Sequence, residues 1–170
     1  AAPAVGVMFL KVMSKSLDRI AFEYWAGVGS KADIESWAES ELRKDEPHPD
    51  ACEMFQLSED EAKKQSLRLA EEIFKFKPIS EKGETWAKGL LKQYCEKLLN
   101  EEIAPYEFCR LVQLFDASFL GMRTLDDGSL EYPDWLGDLW NNCDWCDETW
   151  TCSNSPHLIE ETRKVLRGET

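Results

Sequence analysis

The sequence predicts an all-α protein, a single-domain bundle of six or seven helices within 170 residues. Three observations carry this. Apolar residues recur at spacings of three and four in successive stretches, which gathers them on one face of a helix. Residues that cap or open helices stand where those stretches begin. No alternating pattern of useful strand length occurs, and there is no internal repeat.

The elements follow in order. Ala1 to Val7 read as a vector-derived remnant or disordered tail, with the native start at Met8 or Met13. Leu17, Ile20, Ala21, Tyr24 and Trp25 form the face of a first helix that Gly27 and Gly29 stop. Ser30 caps the second, with Asp33 in its first turn and Ile34, Trp37, Ala38 and Leu42 as its inward stripe. Pro47 and Pro49 then predict a loop or short helical turn. Ser58 and Glu61 make a capping box for a third helix whose inner side is Ala62, Ser66, Leu69, Ala70, Ile73 and Phe74, closed by Pro78.

The fourth helix starts at Ser80 and has the cleanest amphipathic pattern, with Leu90, Leu91, Tyr94, Cys95, Leu98 and Leu99 on one side. Pro105 opens a fifth, facing inward through Phe108, Leu111, Val112, Phe115 and Phe119, and the short link predicts an antiparallel pair. Residues 121–131 read as a connector with an Asp127-Gly128 turn and no calcium-loop spacing. Pro133 opens a sixth helix with Leu136, Leu139, Trp140 and Cys143 inward. Ser155 and Pro156 start a last helix carrying Leu158, Ile159, Thr162, Val165 and Leu166.

Charge is concentrated rather than spread. Of the formal net charge of -13, the stretch between Arg123 and Arg163 supplies ten acids and no Lys or Arg, while the rest of the chain sets 23 acids against 20 bases. Such a field repels phosphate backbones and anionic headgroups, so no nucleic acid and no membrane is expected as partner; a basic protein is. A second base-free stretch, 45–62, holds seven acids. At 43% hydrophobic and 11% aromatic the chain can bury a core of its own. The opening residues make neither a secretion signal nor a membrane span, and six cysteines in a chain of this size suit reduced thiols, so a cytoplasmic location is expected.

The segment Tyr132 to Cys152 holds four of the seven tryptophans, three of the six cysteines, five acids and no base. Trp135, Trp140, Trp145 and Trp150 are five apart, a period that fits neither helix nor strand, so at least one should be partly exposed among the acids. The candidate partner-binding residues are Asp134, Asp138, Asp144, Trp145, Asp147, Glu148 and Trp150. Trp145 and Trp150 would supply the desolvated contact and the acids would meet Arg or Lys at its rim. The competing reading is that these tryptophans seal the end of the bundle.

Cys143, Cys146, Cys152 and His157 have a spacing that could supply four tetrahedral zinc ligands, the basis of an alternative reading as a small metal-binding regulatory domain. Against it, Cys143 falls on an inner face and tryptophans replace the usual turn residues, so buried thiols and no cofactor are expected. No catalytic motif is present. His48 and His157 are the only histidines, His48 lies in a proline-broken loop without a second ligand or base at useful spacing, and the Gly27 to Lys31 stretch matches no phosphate loop. The chain is therefore read as no enzyme.

Through Tyr106-Glu107-Phe108-Cys109, Tyr132-Pro133-Asp134-Trp135-Leu136-Gly137-Asp138-Leu139 and Cys143-Asp144-Trp145, the chain resembles small acidic all-helical immunity proteins of bacterial toxin systems. The resemblance lies in size, charge and the aromatic-acidic pattern of the C-terminal half. It implies a protein that binds a cognate toxin, often a basic nuclease, and blocks it.

Overall fold

The computed structural model describes residues 14–119 and 133–169, whose regular secondary structure is helical, with no strand among them. The tail Ala1 to Val7 with its expected start at Met8 or Met13, the 121–131 connector with its Asp127-Gly128 turn, and the side chain of Phe119 lie outside the described residues. The elements are α1 (Leu17–Trp25), α2 (Lys31–Leu42), a 3-10 helix (Pro49–Gln56), α3 (Glu59–Phe74), α4 (Glu81–Leu99), α5 (Pro105–Phe119), a 3-10 turn (Asp134–Leu136), α6 (Leu139–Asn142) and α7 (Pro156–Arg167). Among the described residues no helix is long and apolar enough to cross a membrane.

Helix α1 is the hub. Seven of its nine residues are buried, including Asp18 and Glu23. Charges can be buried here because each has a partner: Lys15 and Arg19 reach Glu23 at 2.7 and 2.9 Å, and Lys82 reaches Asp18 at 2.6 Å. The Arg19 guanidinium also lies 5.3 Å from the centre of the Trp86 ring, so α1 is tied to α4 by cation–π contact as well.

The core has two parts. Leu17, Ile20 and Tyr24 of α1 pack with Ile34, Trp37, Ala38, Met54, Ala62 and Leu69. Ala21, Phe22 and Ala26 pack instead into a larger cluster with the inner faces of α4, α5, α6 and α7. Both sides of one short helix thus serve as walls, α3 packing on it in one half and α4 standing behind it in the other.

Local signals place the helices. Ser58 Oγ accepts from Glu61 N–H while the Glu61 carboxylate accepts from Ser58 N–H, the expected capping box. Ser30 Oγ accepts from Asp33 N–H. Leu90, Leu91, Tyr94, Cys95 and Leu98 are buried on α4, and Phe108, Val112 and Phe115 on α5, as their spacing requires. Gly27 ends α1 with a φ of 82°, and a Cβ on Gly29 would come within 2.6 Å of Tyr24, so the chain after α1 turns back closely on the helix.

Four expectations are corrected. Leu42, Ile73 and Phe74, expected inside, are exposed: they are the last residues of α2 and α3, where the chain leaves the helix at Arg43 and through the left-handed Lys75. The sixth helix does not run unbroken from Pro133: Gly137, at φ 60° and ψ -147°, separates a 3-10 turn from the four-residue α6, since that backbone shape cannot continue a helix. Ser155 does not cap α7 with its side chain; its buried hydroxyl donates back to the Thr151 carbonyl. Leu99, Leu111, Val165 and Leu166 are half-buried against the core rather than sealed in it.

Candidate functional site

The segment 133–155 reads locally as a chain of short turns. After α6, Asp144 N–H donates to Asn141 O, Cys146 N–H to Cys143 O, and Trp150 N–H to Asp147 O, all at 3.1–3.2 Å. Asp147 closes its own turn by accepting from the backbone N–H (2.8 Å) and hydroxyl of Thr149. Those two bonds, the hydroxyl's first, hold its carboxyl below the usual range and keep it charged. Asn154 stitches the next turn: its Oδ1 accepts from Thr151 N–H at 2.7 Å and its Nδ2 donates to Thr149 O at 3.0 Å. The backbone of this region is thus fixed by its own polar groups.

Trp145 sits at the apex. Its side chain is 92% exposed and its backbone lies in the left-handed region at φ 67°, where side chains other than glycine are disfavoured. Asp144, Asp147 and Glu148 around it are exposed, and none of them has an ion-pair partner among the described residues. The turn thus presents an indole to solvent together with three exposed carboxylates.

The other expected contact residues are placed differently. Trp150 is half-buried against the core and its ring meets His157 edge-on at 5.1 Å, so it supports the loop from beneath. Trp135 likewise packs edge-on at 5.7 Å against Phe115. Asp134 and Asp138 are exposed on the bend around Gly137. Asp138 accepts from the Asn141 amide, and its N–H donates to Glu161 of α7 at 3.1 Å, so this bend is pinned to the last helix.

Cys143, Cys146, Cys152 and His157 are each engaged elsewhere. Cys143 is fully buried, Cys152 directs its Sγ at the Leu98 carbonyl of α4 (3.8 Å), and His157 is held on Trp150. Among the described residues no three His, Cys, Asp or Glu side chains form a group that could hold a metal ion. The thiol the spacing could not reveal is Cys109 of α5, which faces Cys143 and Cys146 across the core. Hydrogen bonding with Cys143, and then burial, holds the Cys109 thiol far above its ordinary range; burial, and then Cys109, push Cys146 up to about 12. These are neutral, packed thiols. The one available signal for Cys109 was its place three residues before Val112 on the inner side of α5.

Compared with protein-family models, with curated proteins and with solved structures, the chain matches none of them.

Proposed function

We propose that this chain is a non-catalytic inhibitor that binds a basic protein, with Trp145 as the anchor and Asp144, Asp147 and Glu148 as the acidic rim. The observation that carries the reading is Trp145 itself, 92% exposed on a left-handed backbone that neighbouring hydrogen bonds hold in place. Preorganised backbone lowers the entropy cost of binding, and a rim of exposed carboxylates raises the encounter rate with a cationic surface. Asp134 and Asp138 extend the same charge along the chain toward α7.

An immunity protein that neutralises a toxin or nuclease domain is the class that this chemistry and the resemblance together favour. A reducing cytoplasm suits its six free thiols.

The test is capture from lysate of the source organism at low salt, with stepwise salt elution and mass spectrometry. The expected result is one basic protein, retained by the native chain and lost with Trp145→Ala. With that protein in hand, reversing Asp144, Asp147 and Glu148 to Lys should slow association at least tenfold and flatten its salt dependence while circular dichroism stays unchanged. Equal retention by Trp145→Ala would remove the proposal.

A further inference from the structure

The opposite half of the chain carries a pocket of about 220 Å³ between the ends of α2 and α3. Its apolar lining is Trp37, Ile73 and Phe74, and its polar lining is Glu41, Lys44, Glu46 and His48. The volume is below the roughly 300–1,000 Å³ of sites that enclose a cofactor or other small molecule, and is closer to the space taken by one or two side chains.

Ile73 and Phe74 are 42% and 46% exposed although both follow the inward stripe of α3. The chain leaves the helix immediately after them through Lys75, whose φ is 52°, so the two side chains are left at its open end. Charge says what fits over them. Among the described residues Lys44 is paired with Glu41, and Lys75, which follows Phe74, donates to the Glu72 carbonyl. Asp45 and Glu46 are exposed and have no ion-pair partner among the described residues. They begin the base-free stretch 45–62 with its seven acids. A second copy of a chain with net charge -13 would bring like charges together here, which disfavours self-association.

We propose that this pocket docks a basic amphipathic segment of a protein partner, one apolar side chain entering beside Trp37 and Phe74 while flanking Lys or Arg meet Asp45 and Glu46. The site uses no residue of the Trp145 face and stands or falls separately from it.

The experiment is a titration of the ¹⁵N-labelled chain with a synthetic 14-residue peptide that has Leu at helical spacing and Lys elsewhere, and with a scrambled peptide of identical composition. The patterned peptide should shift the Trp37 indole and the amides of Ile73 and Phe74, and the double variant Ile73→Ser, Phe74→Ser should weaken it at least tenfold. Because both positions are exposed, that variant keeps its fold, which its own spectrum verifies. Trp145→Ala should leave this binding unchanged. Equal shifts from the scrambled peptide, shifts confined to residues 144–150, no shift at Trp37, or concentration-dependent shifts without peptide would each overturn the proposal, the last by making a second copy the occupant.

Discussion

Lys82, near the start of α4, places its Nζ 2.6 Å from Oδ2 of Asp18, a carboxylate of α1 that is only 3% exposed. Burial by itself would raise the Asp18 pKa, but the Lys82 ammonium and the Ser16 hydroxyl outweigh it and hold the group below its usual range. A depressed carboxylate stabilises the fold above its unfolded pKa and loses that contribution as pH falls through the folded one. Lys82→Met should therefore cost about 1 kcal/mol at neutral pH, a modest figure because Lys82 is itself more than half exposed. The difference should shrink as pH falls through the folded pKa of Asp18, because the protonated carboxyl no longer needs the ammonium. Urea unfolding of both proteins across the acid range checks it.

Two glycines of α4 should respond oppositely to alanine. A Cβ on Gly83 would lie 1.8 Å from the Pro78 carbonyl oxygen, a backbone atom that cannot swing aside. Gly83→Ala should destabilise by about 1–3 kcal/mol. Nothing lies within 4 Å of a Cβ on Gly89, in the helix interior, so Gly89→Ala should stabilise by about 0.5–1 kcal/mol. Thermal unfolding of the two variants side by side reads both signs.

Replacing Trp145 by glycine removes the cost of its φ of 67° and loses no packing. Stability should rise by about 0.5–1 kcal/mol while partner capture is lost. A fall in melting temperature would mean that the indole packs on the protein.

Cysteine labelling should separate the thiols by burial. Iodoacetamide at neutral pH should modify exposed Cys52 and spare Cys95, Cys109 and Cys143, which are buried. Cys146, though half-exposed, should lag well behind Cys52, because a thiol pushed up to about 12 is thiolate in roughly one molecule in 10⁵ at pH 7. Peptide mapping after brief labelling reports the order.

The parts of this chain that were legible in the sequence are those whose cause is local. The Ser58–Glu61 capping box and the α4 stripe depend on residues within one or two turns; the box stands as read, and the stripe does from Leu90 to Leu98. The same periodicity misplaced Leu42, Ile73 and Phe74, because spacing tells which side of a helix is apolar and not where the neighbouring helix stops. A five-residue interval predicted at least one partly exposed tryptophan but could not choose between Trp145, at the apex, and Trp150, which rests on His157. Cys109 stayed hidden because its partners lie on another element 34 or more residues further along the chain.

Because the two faces of α1 belong to different halves of the core, neither half can open without uncovering one side of it. A nine-residue helix is too short to persist once stripped of its packing. Amide exchange in α1 should therefore proceed only through global unfolding, whereas the ends of α2 and α3, with Leu42, Ile73 and Phe74 in solvent, should exchange through smaller openings. The shortest well-buried helix would then carry the slowest protons, and the exchange rate of Ile20 or Ala21 would serve as a direct gauge of the stability of the whole fold.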